Sequence, residues 1–587
     1  MFDHAKLSDP TLVQENRLPA RSDHRWFATR EEAEAPRSAV GGLLASPQVV
    51  SSFEQSLNGT WKFHYAVNPS EMIEGFQDPG YDTSGWARIK VPGHMQLQGY
   101  DRPQYVNTQY PWDGRQDISP GEAPKDFNPV GQYVREFNWE PRPHAEDRVI
   151  LRFNGIESAG AIWLNGQYVG YTTDSFTPAE FDVTDAIVSG TNKLAVDVFK
   201  WTAGSWLEDQ DFFRFSGIFR DVLLLVKPAV HIEDLTITTD LSDDLKSATV
   251  SLQVKMTGYG SVKATLAGVG PLSINEEGVF QVEVTDPHLW SPEDPFLYHL
   301  EIEVFDAEYT LTEFIIQRVG IRRFAIEDGV MKLNGERVVF RGVNRHEFGK
   351  DGRVFDRPAT VRDMLLLKRA GVNAIRTSHY PNNSFFYALA DKFGFMVIDE
   401  MNLETHGTWD PIVDGRWPVE AAVPGDNPQW LPAILDRAES MLERDKNHPS
   451  IVMWSSGNES YGGSNLQKVA DYFRESDPTR LVHYEGISWD RRYPGSSDVE
   501  SQMYTPVAKV QEFLQEHRDK PFILCEFAHA MGNSFGAVDK YVELAYQDPL
   551  YQGGFIWDFA DQAVWINGDN GNGYFAFGGE SGESPND

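Results

Sequence analysis

From Arg322 onward the chain keeps repeating one pattern, a short apolar run with strand character followed by an amphipathic helical stretch. VVFRGVNRH precedes TVRDMLLLKRAG, VNAIRTSHY precedes SFFYALADKFG, FMVIDEMN precedes AILDRAESMLERDKN, and IVMWSSGNES precedes NLQKVADYFRES. LVHYEGIS, ESQMY with VAKVQEFLQEH, PFILCEFAH with GAVDKYVELAY, and finally GGFIWDFAD continue the series. Eight strand-type segments, most followed by a helix, predict a (β/α)8 TIM barrel, because parallel strands need crossovers that cover the sheet. No helical pattern follows the eighth segment before Asp587, so the barrel is expected to be incomplete at its C-terminus.

Upstream the texture differs. From Phe53 to about Val226, alternating runs such as GTWKFHYAV, YVREFNWE and NKLAVDVFKW are divided by turn residues, with Asn154-Gly155 and Asn165-Gly166 as hairpin signals. This reads as an antiparallel β-sandwich of jelly-roll type. Lys227 to about Val319 continues with ATVSLQVKM, VFQVEV, LYHLEIEVF and LTEFIIQRV, the length of one immunoglobulin-like sandwich. The expected organisation is an N-terminal arm over 1–50, a jelly roll over 51–226, an immunoglobulin-like sandwich over 227–319 and the barrel over 320–587.

Charge narrows the partners. Eighty-seven acidic against 52 basic side chains give a formal net charge of −35, which argues against nucleic acid and anionic membrane surfaces. The single cysteine, Cys525, rules out an intramolecular disulfide and fits a reducing compartment. The first residues lack a basic region followed by an apolar stretch, and no run approaches a membrane span, so a cytoplasmic location is expected.

In such barrels the functional residues sit at the C-terminal ends of the strands. Those ends carry Asn344-Arg345-His346-Glu347, Arg376 to Tyr380, Glu400 with Glu404 and His406, Asn458-Glu459, Tyr504, Glu526 with His529, and Trp557-Asp558. Glu459 closes the fourth strand and Glu526 the seventh, nearly opposite in a ring of eight. A single strand-end Glu is most often a rim salt bridge. Two facing carboxyl groups are what glycoside hydrolysis needs, one to protonate the leaving oxygen and one to attack the anomeric carbon or activate water. Glu404-Thr405-His406 puts an oxygen and a nitrogen ligand on one side of an extended segment near Glu459, and the carboxylate-rich set favours Mg²⁺ or Mn²⁺ over Zn²⁺.

The strings GNES, ILCEFAHAMGNS, RTSHYPN, DEMNLETHG, GVNRHE, LEDQDFFRFSGIFRD and GGFIWDFADQ together resemble glycoside hydrolase family 2, specifically its large lac-type β-galactosidases, from about Leu12 to Asp587. The resemblance implies a retaining enzyme acting on β-galactosides such as lactose. It makes Glu459 the acid/base, Glu526 the nucleophile and Asn458 the holder of the sugar 2-hydroxyl. His346, His379 and His529 match sugar-binding histidines, Tyr504 a tyrosine on the nucleophile, and Trp557 an apolar wall for the sugar. Asn107 and Asp211 match contributions of the jelly roll to the galactose pocket. Arg376 is expected to keep Glu526 ionised. Glu404, His406 and Glu459 match Mg²⁺ ligands and Asp211 a Na⁺ ligand, the rest of the Na⁺ site being expected beyond this sequence. For Glu459 to act as an acid its pKa should be raised, by burial or by Glu404.

The stop inside a motif suggests a fragment of a longer chain or a large subunit needing a C-terminal partner. A full-length homo-oligomer is expected from an arm-like N-terminus. Rival readings are a catalytically incomplete scaffold, a β-mannosidase, or a β-glucuronidase; the last would need cations for the sugar carboxylate, and WDFADQAVWINGDNGNGYFAFGGE holds no Lys or Arg.

Overall fold

The computed structural model describes residues 2–34, 51–140, 146–530, 534–567 and 572–577. Part of the expected arm (35–50), residues 531–533 of ILCEFAHAMGNS and the terminal SPND lie outside the described residues.

The first sandwich packs a seven-stranded sheet against a four-stranded one. The Asn165-Gly166 signal turns Ala159–Leu164 into Gln167–Thr172, with both turn residues at positive φ, 53° and 81°. This is the turn whose twist suits a two-residue hairpin. Apolar side chains from both sheets, among them Trp61, Tyr133, Leu151, Ile162 and Val198, fill the space between them. The second sandwich has four- and five-stranded sheets. The N-terminal segment stitches the two together: Gln14–Glu15 pairs with the first sandwich and Trp26–Phe27 with Leu311–Val319 of the second.

The barrel strands are β1 Phe340–Asn344, β2 Ala374–Arg376, β3 Met396–Glu400, β4 Ile451–Ser455, β5 Leu481–His483, β6 Glu500–Met503, β7 Phe522–Phe527 and β8 Tyr551–Ile556. They form one parallel sheet in the order 5-4-3-2-1-8-7-6, nearly closed, with β5 and β6 at its two edges. Strands such as Ile451–Ser455 are buried throughout, which is why they read as continuous apolar runs rather than alternating ones. Helices α1 Arg357–Arg369 and α2 Ser384–Phe393 fill the first two crossovers. α3 His406–Val413 and α4 Leu431–Asp445 share the third, and α5 Ser464–Ser476 occupies the fourth. α6 Val507–Glu516 and α7 Val538–Gln547 follow β6 and β7. Asp356 and Asn383 cap α1 and α2 through their side chains, satisfying backbone N–H groups that would otherwise lack partners. Between β5 and β6 the chain makes only 3-10 turns, at Glu485–Ser488 and Pro494–Ser496. After β8 comes a hairpin, Val564–Asn567 with Gly573–Ala576.

A short parallel pairing joins sandwich to barrel, Glu208–Asp209 beside Glu404–Thr405. Buried ion pairs reinforce it: Arg437 with Glu208 at 2.9 Å and Arg220 with Glu347 at 2.9 Å.

Candidate active site

β4 ends on Ser455, and the backbone then turns through Gly457 at φ 116°. A side chain there would strike Leu403, its ideal Cβ lying 2.7 Å from the Leu403 carbonyl oxygen. The glycine in GNES therefore lets the loop close on the β3 extension and send Asn458 and Glu459 into the barrel mouth.

Arg376, at the end of β2 and fully buried, organises the opposite wall. Its guanidinium donates to Glu526 Oε1 at 2.9 Å, Glu400 Oε1 and Oε2 at 3.0 and 2.9 Å, Asn344 Oδ1 at 2.9 Å and Asn458 Oδ1 at 2.8 Å. One planar cation thus links the seventh-strand carboxylate to the residue before the fourth-strand one, a fork that only arginine supplies. Tyr504 donates from its hydroxyl to Glu526 Oε2 at 2.7 Å. Desolvation, then the charge of Glu526, pushes the Tyr504 pKa up, so the phenol stays a donor. Glu526 therefore has one oxygen on a guanidinium and the other on a phenol.

Glu400 ties the set together. It also faces His379 Nδ1 at 2.7 Å and accepts from Ser455 Oγ at 2.6 Å. Burial opposes its ionised form, but Arg376 and His379 outweigh this and hold the carboxyl at about 2. The His379 ring stacks on Trp557 with centroids 5.1 Å apart, and His346 meets the same indole edge-on at 5.5 Å. Trp557 is buried, as a wall or a core residue would be. His529 lies beside Tyr504, their rings 5.9 Å apart.

The first sandwich reaches the same mouth. Tyr105–Val106 pairs antiparallel with Phe212–Phe213, which brings Asn107 and Asp211 together at its end. The Asp211 carboxylate accepts from the Tyr105 hydroxyl. Gln562 donates to the Asp211 carbonyl at 3.0 Å and lies 3.4 Å from His346 Nε2. Gln210 donates to the His379 carbonyl at 3.2 Å and to Asn402 Oδ1 at 2.8 Å.

Glu459 sits in different surroundings. His406 Nδ1 lies 3.0 Å from Glu459 Oε2 and 3.4 Å from Glu404 Oε1, and Asn458 donates to Glu404 Oε2 at 3.0 Å. Ligand atoms of Glu404, His406 and Glu459 fall within 4.8 Å of one another. Glu404 Oε1 and His406 Nδ1 are buried, and neither makes an aligned hydrogen bond among the described residues. Two orphaned polar atoms facing each other beside a second carboxylate fit a divalent cation with oxygen and imidazole ligands.

The expected upward shift of Glu459 is not what this geometry gives. Burial raises its pKa, but the adjacent His406 outweighs burial and leaves it below the ordinary glutamate value. Glu404 is the carboxyl pushed up, by burial first and by Glu459 among its neighbours. His406, despite burial, is drawn well above its usual pKa by the two carboxylates.

All the residues expected at the mouth come from the strand ends and sandwich segments that carry them in sequence. Sequence reasoning gives Glu400 a strand-end position but no task; its signal is an acid closing the wholly buried strand MVIDE. Gln210, Ser455 and Gln562 carry no signal short of the fold.

Three family models match the chain in order: Glycosyl hydrolases family 2, sugar binding domain, over 54–228; Glycosyl hydrolases family 2 over 230–322; and Glycosyl hydrolases family 2, TIM barrel domain, over 324–587. A β-galactosidase of Halalkalibacterium halodurans is 46% identical across 99% of this chain, which spans 57% of that relative's length. A β-galactosidase large subunit of Latilactobacillus sakei is 41% identical across 99% of this chain and is matched over 94% of its own length. A solved β-glucuronidase of Bifidobacterium dentium shares the fold with a TM-score of 0.69 at 24% identity, over 90% of this chain and 94% of that one.

Proposed function

Because the chain belongs to glycoside hydrolase family 2, among its lac-type β-galactosidases, we propose that it carries the catalytic machinery of a retaining β-galactosidase acting on terminal β-galactosides such as lactose. The observation that carries this reading is the asymmetry of the two strand-end carboxylates. Glu526 is held by a guanidinium on one oxygen and a phenol on the other, which aim it. Glu459 meets no guanidinium or phenol among the described residues: the His406 imidazole lies 3.0 Å away and the Asn458 amide 3.5 Å, and in this reading it is the carboxyl that exchanges the proton.

In the first step a Glu526 oxygen attacks the anomeric carbon as the bond to the aglycone oxygen breaks, and that oxygen takes its proton from Glu459. In the second, Glu459 removes a proton from water, which displaces Glu526 and releases galactose with its configuration retained. Asn458, locked between Arg376 and Glu404, is placed to meet the sugar 2-hydroxyl. His346, His379 and His529 contribute donors to the sugar, and Trp557 an apolar face. Asn107 and Asp211 bind sugar hydroxyls from the sandwich side, and Asp211 is also the proposed Na⁺ ligand. Glu404, His406 and Glu459 would hold Mg²⁺, or Mn²⁺. The ion, when bound, supplies positive charge beside Glu459 and sets its proton affinity in place of an imidazolium.

A separate small subunit is the proposed partner, on the strength of the large-subunit relative. Trp565, Tyr574, Phe575 and Phe577 at the hairpin after β8 are exposed and suit such a contact.

With the small subunit or further chain supplied, Glu526→Gln should abolish turnover of nitrophenyl β-galactoside. Glu459→Gly should be rescued by azide on an activated substrate. NMR showing an inverted first-formed product would overturn retention, and faster cleavage of the matching glucuronide or mannoside would overturn the sugar assignment.

A further inference from the structure

β5 delivers a carboxyl that the proposed reaction does not use. His483 is held on three sides: its carbonyl accepts from Ser456 N at 2.9 Å, and its ring contacts Ser455 Oγ and Ser501 Oγ, each at 2.9 Å. The next residue, Tyr484, donates its hydroxyl to the Ser460 carbonyl. Both contacts grip the loop from Ser456 to Ser460 that carries Glu459. Glu485 follows directly and starts the 3-10 turn Glu485–Ser488.

Glu485 is 0% exposed, and neither carboxyl oxygen has a hydrogen-bond partner among the described residues. That isolation separates it from its neighbours. Glu400 has Arg376, His379 and Ser455; Glu526 has Arg376 and Tyr504; Glu347 has Arg220 and the Asn383 N–H. β5 pairs beside β4, and the Tyr484 hydroxyl on the Ser460 carbonyl sets Glu485 next to the loop that carries Glu459. A buried carboxyl with neither oxygen partnered is disfavoured, and such groups in native structures point to a missing ion or solvent partner. The nearby trio at Glu404, His406 and Glu459 has its own orphaned atoms. A Mg²⁺ ion keeps several waters, whose hydrogens need acceptors that are not themselves ligands.

We propose that Glu485 is a positioning residue for the divalent-cation site, accepting hydrogen bonds from the ion's hydration shell and thereby fixing the ion against Glu459. The inference rests on the reading of Glu404, His406 and Glu459 as that site. Its role is orientation, one step removed from the substrate.

The test is Mg²⁺ binding by calorimetry on the full chain without substrate, comparing the parent with Glu485→Gln and Glu404→Gln. Glu485→Gln is expected to weaken Mg²⁺ by about ten- to hundredfold, the usual effect of losing an outer partner. The rise in melting temperature that Mg²⁺ gives over chelator should shrink in step. Mg²⁺ affinity and melting response equal to the parent in Glu485→Gln, with both lost in Glu404→Gln, would overturn the role of Glu485 alone. Undiminished binding in Glu404→Gln would overturn the cation site itself. Should Glu485→Gln fail to fold, Glu485→Asp gives the same readout: it keeps the carboxyl but withdraws it, so weaker Mg²⁺ binding supports the role and parental binding refutes it.

Discussion

Among the described residues, two clusters gather a histidine and two carboxylates closely enough to share an ion: Glu404, His406 and Glu459 at the barrel mouth, and Asp23, Asp445 and His448 where the N-terminal segment meets α4. Their spacing is alike and their surroundings are opposite. In the second, Arg444 donates to both Asp445 oxygens at 2.8 and 2.6 Å. His448 uses both ring nitrogens, on Asp391 at 2.6 Å and Asp23 at 3.2 Å. In the first, no arginine or lysine ion pair reaches the trio among the described residues, and two ligand atoms are left over. Spacing selects candidates, but the supply of counter-charge decides which is a clasp between segments and which is open to a ligand.

The sharpest way to break this contrast is Asp445→Ala. It strips a buried guanidinium of its bidentate partner and should cost about 3–5 kcal/mol of stability, seen in thermal or urea unfolding. Mg²⁺ affinity should stay at the parental value. The mouth variant Glu404→Gln should do the reverse: Mg²⁺ binding falls by about a hundredfold, or about 2.7 kcal/mol, while unfolding in chelator is nearly unchanged. Calorimetry and melting on the same samples check both. A smaller effect sits in the pH dependence. His448 is drawn well above its ordinary pKa against burial, by Asp391 and Asp23. A raised pKa means its stabilisation is full below about 6.5, the unfolded value, and is lost as pH rises through the folded one. The parent should therefore lose stability on the alkaline side, and His448→Gln should lack that slope. A parental slope in the variant would assign it elsewhere.

The barrel was legible because its strands are buried on both faces, so each is an apolar run ending abruptly in polar residues, as IVMWSSGNES does. The sandwiches were legible through period-two runs and hairpin signals such as Asn165-Gly166. The mouth was legible as a set of strand ends, with Glu459 and Glu526 placed by position in the ring. The wiring was not. That Arg376 serves four acceptor residues depends on three-dimensional convergence that no spacing encodes. The direction of the Glu459 shift depended on which neighbour is nearest, and His406 rather than Glu404 supplies the dominant charge. Glu485 was invisible because what distinguishes it is a lack of partners, and a sequence records only residues.

The pairing of Glu208–Asp209 with Glu404–Thr405 bears on modularity. The strand that carries Glu404, and the helix start at His406 that follows it, are completed by hydrogen bonds from another domain: Leu207 accepts from the Glu404 N–H at 2.9 Å, and Asp209 from the Gly407 N–H at 2.8 Å. Evolution cannot trade this sandwich for another without rebuilding the backbone pairing that holds Glu404, nor can an engineer transplant the barrel as a self-sufficient cassette. What is inherited together here is a pair of domains sharing one seam.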